Sequence, residues 1–356
     1  MSDGPVRYID EVELRNKRVL LRVDFNVTLT DGLTISDDAR IKQSLPTIQY
    51  LLKNNNKLIL VSHLDRPEKR DLKYSLKIVA ERLQSYLPGY TITLVDDFLN
   101  SFPEQRPNEI LLLENIRFYP GEKANDPAFT KKLGALADVY VNDAFGVSHR
   151  TDASVVGVPK LLPSYGGLLL KKEITMISKL VNTPQKPFVA IIGGIKAETK
   201  LKFIDRLKSL ADFILIGSGI IHAIPNAEKI ILPLDVILAS GETKKINQMK
   251  SEDRALDIGP ETEAKFGALI AQAKTIVWNG PMGYVEDKRF QRGTEFVYFS
   301  ITQNSTALSI VGGGDTIAAI SKEEYLEKIT HISTGGGAML EYIETGTLPG
   351  IEVLKH

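Results

Sequence analysis

Arg18-Val19-Leu20-Leu21-Arg22-Val23-Asp24-Phe25-Asn26 starts as a mostly apolar run and ends in polar residues. An amphipathic stretch, Ile41–Leu52, follows. The pattern then returns, with Lys57-Leu58-Ile59-Leu60-Val61 leading into Ser62-His63-Leu64-Asp65-Arg66-Pro67. Two short apolar runs separated by a helical period read as a βαβ unit, and βαβ units build parallel sheets. The alternation continues along the chain. Thr91–Val95, Ile110–Leu113 and Val139–Val141 are further strand-like runs, and Leu76–Leu87 has helical spacing. In the second half the candidate strands are Phe188–Ile192, Phe213–Ile216, Lys229–Leu232, Thr275–Trp278, Ala307–Val311 and His331–Ser333. The expected fold is α/β, with two doubly wound parallel-sheet lobes joined by a long helix and hinge.

Length supports two lobes, since 356 residues exceed what one core usually holds. Gly166-Gly167 precede an amphipathic run, Leu168–Val181, which Thr183-Pro184 closes. The lobes are therefore expected at 1–163 and 185–339, with 164–184 as the connecting helix; the alternative is a surface helix within one lobe. Lys+Arg and Asp+Glu balance at 44 each, which argues against nucleic acid or a membrane held by bulk charge. There is no cysteine, so disulfides, thiolate metal sites and thiol nucleophiles are excluded. Met1–Glu13 is too polar for a signal peptide, and no apolar run approaches ~18 residues. The expected location is the cytoplasm.

In open parallel sheets, ligands bind beyond the carboxyl ends of the strands. In the first half those positions are Asp24 and Asn26, then His63 and Arg66, then Arg117, then Asn142-Asp143 leading to His149-Arg150; Arg40 opens the first helical pattern. Four arginines and two of the five histidines thus follow strand ends on one predicted edge. Guanidinium groups suit bidentate contact with phosphate and carboxylate, and Asp24 and Asn26 suit hydroxyls, so the expected ligand is a small multiply anionic metabolite. The competing reading is a rim of surface salt bridges.

In the second half the strand ends are glycine-rich: Gly193-Gly194-Ile195-Lys196, Gly217-Ser218-Gly219, Asn279-Gly280-Pro281-Met282-Gly283, Gly312-Gly313-Gly314-Asp315-Thr316 and Gly335-Gly336-Gly337. Glycine lets backbone N–H groups approach a phosphate. Lys196 and Lys200 add positive charge, and Asp315 suits a Mg²⁺ that travels with nucleotide phosphates. No Walker A pattern is present, and His222 stands where a dinucleotide fingerprint needs its third glycine. His222 and His331 read as packing or loop residues, and Trp278 as core.

Several of these stretches, in this order, resemble phosphoglycerate kinase. They are Arg22–Val27, Ser62–Pro67, Glu114–Phe118, Asp138–Gly146, Trp278–Pro281, Gly312–Thr316 and Ser333–Ala338. The resemblance runs from near residue 10 to near residue 354. It implies reversible phosphoryl transfer between 1,3-bisphosphoglycerate and ADP, giving 3-phosphoglycerate and ATP, in glycolysis and gluconeogenesis, by a hinge-bending monomer that uses Mg²⁺. By resemblance, Asp24, Asn26, Arg40, His63, Arg66, Arg117 and Arg150 would hold the glycerate and its phosphate. Gly194, Lys196, Lys200, Gly219, Asn279, Glu286, Gly312, Gly313, Asp315 and Thr316 would hold the nucleotide, with Asp315 toward the metal and Glu286 on the ribose. Arg40, Lys196, Gly313, Gly314 and Gly336 would stabilise the moving phosphoryl group. The last segment, 340–356, would return to the first lobe.

The chain also departs from the family. Ile220–Ala227 passes almost straight to Lys229-Ile230-Ile231-Leu232, where the family runs through helix, so at least one helix is expected to be missing. Ser218 replaces a glycine and Ile195 a small residue, both beside the family's adenine pocket. Asp65 replaces a glycine before Arg66, and Asp152 a histidine. Two other outcomes follow from these changes: altered base preference, or a non-catalytic metabolite-binding relative. The second predicts loss of Arg40, Lys196 or Asp315, and all three are present.

Overall fold

The apolar runs of the first half become strands in a computed structural model that describes residues 4–30, 34–320 and 323–355. Met1–Asp3 and His356, included in the expected first lobe and its returning segment, lie outside the described residues. The chain packs as two compact units, residues 1–174 with 347–356 and residues 175–346.

The first unit holds β1 (Arg18–Arg22), β2 (Thr28–Leu29), β3 (Ile35–Asp37), β4 (Lys57–Val61), β5 (Thr91–Val95), β6 (Glu109–Leu113), β7 (Val139–Asn142) and β8 (Ser164–Gly166). Six of them form a sheet in the order β5-β6-β4-β1-β7-β8, and every pair in it is parallel. The central strands are buried along nearly their whole length, as expected where helices cover both faces. Leu21, Val23, Ile41, Ile48, Leu60, Val79, Leu83 and Leu112 share one core layer between sheet and helices. β2 and β3 pair as a separate antiparallel ribbon.

The second unit holds β9 (Phe188–Ile192), β10 (Phe213–Ile216), β11 (Ile230–Ile231), β12 (Asp235–Leu238), β13 (Thr243–Lys245), β14 (Ala255–Ile258), β15 (Thr275–Asn279), β16 (Leu308–Gly312) and β17 (His331–Ser333). Its main sheet runs β11-β10-β9-β15-β16-β17, again all parallel. Trp278 is fully buried in it and packs on Tyr298, with ring centroids 4.5 Å apart. β12, β13 and β14 form a small antiparallel sheet that the repeating strand–helix reading did not anticipate.

The boundaries differ from those expected. The stretch assigned to the connector begins with β8, a strand of the first sheet, and the division falls inside the helix Leu168–Asn182, after Ile174. Asp143 starts that helix: its Oδ1 accepts from the N–H groups of Leu169 (2.9 Å) and Leu170 (3.1 Å). A Cβ on Gly167 would sit 2.2 Å from the same oxygen, so this approach needs glycine. At the other end, Leu340 lies in the helix Gly336–Thr345, which belongs to the second unit. Gly346, at φ +80°, ends the helix, and the return to the first unit begins at Thr347 rather than Leu340. There, Gly350 N–H donates to Ser148 O (2.8 Å), Asn142 Nδ2 donates to Gly350 O (3.1 Å), and Val6 pairs with Lys355.

Candidate active site

The polar residues that follow β1, β4, β6 and β7 collect at one edge of the first sheet. Asp24 is buried just after β1 and forms an ion pair with Arg40. Burial works against its charge, but Arg40, then His63 and Arg22, outweigh that and hold the carboxyl down at about 2. Asn26 Oδ1 accepts from Asp65 N–H (2.7 Å), and Asp65 O accepts from Arg117 Nη1 (2.6 Å). Asp65 has φ +57°, which explains why a glycine suits this position in the family; an aspartate is among the few other residues that tolerate it. Arg66, next to it, is exposed.

This cluster is short of acceptors. Arg117 is only 5% exposed, and its Nη2 has no hydrogen-bond partner. Arg150 Nε and His149 Nδ1 are also buried without one. Burial lowers Arg117 to about 10, and the charges of Arg150 and Arg22 add to the effect. His63 is pushed well below its ordinary range, first by burial and then by Arg22, Arg117 and Arg150, against the pull of Asp24; it is neutral near pH 7. The arrangement suits an anion, which would supply the missing acceptors. A solvated rim of paired arginines would not leave buried guanidinium N–H groups unmet.

The sequence reading passed over some of this machinery. Arg22 lies inside β1, 1% exposed, with its Nη2 3.4 Å from His63 Nδ1 and its Nε 2.9 Å from Ser154 Oγ. Ser154 in turn meets the buried Glu122, whose carboxyl burial pushes up to about 7 against the opposing charge of Arg22. The available signal was a charged residue at the end of the strand, between the apolar Leu21 and Val23.

In the second unit the five glycine-rich loops separate into two kinds. A Cβ on Gly193 would fall 2.0 Å from Pro281 O, on Gly219 2.6 Å from Gly194 O, and on Gly280 2.3 Å from Gly193 O. These loops, after β9, β10 and β15, pack backbone to backbone, and that alone demands glycine at those positions. Lys200, 8% exposed, fastens them: its Nζ donates to Gly193 O and to Asn279 O. Burial lowers it to about 8, with Asp315 opposing. Ser218 is also turned inward, donating to Met282 O (2.9 Å).

The loops after β16 and β17 are different. A Cβ on Gly314 or Gly337 would meet nothing within 4 Å, and one on Gly336 would come no closer than 3.7 Å, to the α-carbon of Gly313. Here the glycines leave open space in front of the backbone. Asn279 Nδ2 donates to Gly312 O (3.0 Å), and Gly280 N–H donates to Thr316 Oγ1 (2.8 Å), which ties this pair of loops to the packed set. Asp315 is exposed after β16, while Lys196 after β9 and Glu286 after β15 are exposed beside the packed loops, where Gly194 sits at φ +83°. Among the described residues no cluster of three His, Cys, Asp or Glu side chains could cage a metal. A lone carboxylate such as Asp315 fits a Mg²⁺ that brings phosphate oxygens with it. Between β10 and β11 the only helical piece is the 3-10 turn Ser218–Ala223, and Ile195 is 69% exposed. Among the described residues no helix is long and apolar enough to cross a membrane.

Comparison with known proteins gives a consistent result. The family profile described as phosphoglycerate kinase matches residues 9–228 and 220–346. The two matches meet at 220–228, where the crossover lacks an α-helix. A phosphoglycerate kinase of Koribacter versatilis is 42% identical over 400 aligned positions, covering 98% of each chain. With 356 residues here, at least 44 of those 400 positions have no counterpart. A phosphoglycerate kinase of Dictyoglomus turgidum is 41% identical over the full length of both chains. Among solved structures, phosphoglycerate kinase from Coxiella burnetii superposes with a TM-score of 0.85 at 34% identity, covering 98% of this chain and 99% of its own. The Pyrococcus horikoshii enzyme gives 0.84 at 29%, covering 98% of each.

Proposed function

On the premise that the chain belongs to the phosphoglycerate kinase family, we propose that it moves a phosphoryl group reversibly between 1,3-bisphosphoglycerate and ADP, giving 3-phosphoglycerate and ATP, and that the two clusters described above divide the work. The observation that carries the assignment is the pair of buried, unpartnered N–H groups, Arg117 Nη2 and Arg150 Nε. Arginine cannot shed its proton, so these groups call for an anion. A phosphate and a carboxylate on one small molecule supply it. Asp24, Asn26, Arg40, His63, Arg66, Arg117 and Arg150 hold the phosphoglycerate. Lys196, Lys200, Asn279, Gly312, Gly313, Asp315, Thr316 and the open backbone at Gly314 and Gly336 hold the nucleotide phosphates. Gly194, Gly219 and Glu286 serve the nucleoside.

In the ATP-consuming direction the nucleophile is the carboxylate of 3-phosphoglycerate, ionised at pH 7 without help. Its oxygen bonds to the γ-phosphorus as the bond to the β,γ-bridging oxygen breaks, and ADP leaves with the electron pair. No general base is required. Catalysis is alignment and neutralisation of charge, by Arg40, Lys196 and backbone N–H groups at Gly313–Gly314 and Gly336. Asp315 is the residue that would hold a Mg²⁺ brought by the nucleotide, which would supply further charge neutralisation. Transfer requires the acid held on one unit to reach the phosphate held on the other, so closure would precede chemistry and keep water from the acyl phosphate. We place the enzyme in the cytoplasm, acting as a monomer. A coupled assay with 3-phosphoglycerate and MgATP tests the reading: wild-type turnover is expected, with a loss of orders of magnitude in Arg40→Ala. Near-normal turnover in that variant refutes the assignment.

One observation favours weakened base discrimination within this activity. The helix missing between β10 and β11 and the exposed Ile195 both fall where the family borders its adenine pocket. Binding of ADP, GDP, CDP and UDP should then fall within a narrow range; a tight preference for ADP alone defeats the idea.

A further inference from the structure

A directed line of hydrogen bonds runs from the interior of the first unit to His63. It begins at Glu122, fully buried in the short helix Pro120–Lys123. Glu122 Oε2 accepts from the backbone N–H of Ser154 (2.9 Å), and Oε1 accepts from the Ser154 hydroxyl (2.5 Å). With its proton committed to Glu122, Ser154 Oγ has only lone pairs left, and Arg22 Nε–H donates to them (2.9 Å). Arg22 Nη1 donates to Val23 O and, at 3.4 Å, to Val61 O, which fixes the plane of the guanidinium. Arg22 Nη2 then lies 3.4 Å from His63 Nδ1.

A guanidinium donates and cannot accept. In this contact His63 Nδ1 must therefore be the acceptor, and the proton of the neutral ring must sit on Nε2. The opposite tautomer would set an Nδ1–H against an arginine N–H. We infer that Glu122 and Ser154 are positioning residues that act through Arg22 to hold His63 as the Nε2–H tautomer, so that it meets the phosphoglycerate as a neutral donor. This rests on His63 belonging to the phosphoglycerate site. The wrong tautomer would offer an oxyanion a lone pair in place of a proton. Neutrality matters as well: the donor adds a hydrogen bond without adding a further charge to a site already crowded with arginines.

The test uses the full chain with ¹⁵N-labelled histidine, and long-range ¹H–¹⁵N spectra read the tautomer. His63 is assigned by the signal lost in His63→Gln. Wild type should show Nε2–H. Ser154→Ala removes the link, and His63 should then populate both tautomers, while KM for 3-phosphoglycerate rises about tenfold, the value of one hydrogen bond, with KM for ATP unchanged. A wild-type His63 carrying Nδ1–H overturns the inference without any variant, which keeps it testable if Ser154→Ala does not fold. A raised KM with an unchanged tautomer also overturns it, since that pattern marks a packing role alone. If the functional reading were wrong instead, wild type would show the Nε2–H tautomer but neither bind nor turn over 3-phosphoglycerate.

Discussion

Binding of ADP should draw protons from solution, and the amount can be worked from the surroundings of Lys200. Burial lowers this ammonium from 10.5 to about 8 while it holds Gly193 O and Asn279 O. A shift of roughly 2.5 units is worth about 3 kcal/mol at 1.36 kcal/mol per unit. For a lysine depressed in the fold, the unfolded chain binds more protons between pH 8 and 10.5, so the contribution to stability improves as pH rises through that window. A phosphate beside the ammonium supplies the missing counter-charge and returns the pKa toward its unfolded value. The fraction discharged before binding then equals the protons taken up, about 0.1 at pH 7, about 0.5 at pH 8 and about 0.9 at pH 9. Phosphate oxygens titrate near pH 6 and contribute little by then. Isothermal titration calorimetry in buffers of different ionisation enthalpy measures the uptake directly. In Lys200→Met the rise with pH should vanish. Wild-type uptake below about 0.1 proton at pH 8, or a rise that the variant retains, refutes the reasoning.

Three further outcomes are expected. Arg117→Lys removes the unpartnered Nη2 and its charge-assisted bond, so KM for 3-phosphoglycerate should rise about ten- to a hundredfold, while KM for ATP and the circular dichroism spectrum stay as they were. Asp24, held at about 2 against an ordinary 3.8, should contribute about 2 kcal/mol above pH 4 that is lost as pH falls toward 2. Other carboxylates held low, such as Asp38 and Asp138, titrate in the same range, so urea titrations should show a loss about 2 kcal/mol smaller in Asp24→Asn than in wild type, and equal losses in the two count against the assignment. Gly193→Ala should destabilise by about 1–3 kcal/mol or more, because its Cβ would sit 2.0 Å from Pro281 O. Gly314→Ala, whose Cβ meets nothing within 4 Å, should keep its thermal stability yet weaken ADP binding. Equal stability losses in the two would erase the distinction drawn between packed and open loops.

The main strands were legible because a strand buried on both faces must be written as a continuous apolar run, as Lys57–Val61 and Phe188–Ile192 are. Ser164–Gly166 was not, since three residues ending in glycine carry no period to read. The small antiparallel sheet was missed because Thr243–Lys245 is a short, largely exposed edge of charged residues. At the site, residues placed by strand ends were found, while residues placed by contacts distant in sequence were not. Nothing near Glu122 indicates that it meets Ser154, 32 residues on. The glycines show the same limit: the sequence marks five glycine-rich loops, but whether glycine admits a phosphate or another backbone depends on what lies opposite in space.

The tail from Thr347 to Lys355 completes the first unit, yet the ribosome reaches it only after the 172 residues of 175–346 have been made. At 5–20 residues per second that is a wait of roughly ten to thirty seconds. For that interval the nascent first unit lacks Gly350, the partner of Ser148 and Asn142, and its Val6 edge has no Lys355 to pair with. Fragments cut after Gly346 would inherit the same unfinished seam. Chaperone holding during synthesis, and proteolytic sensitivity of truncated chains, should therefore concentrate on the half that was translated first.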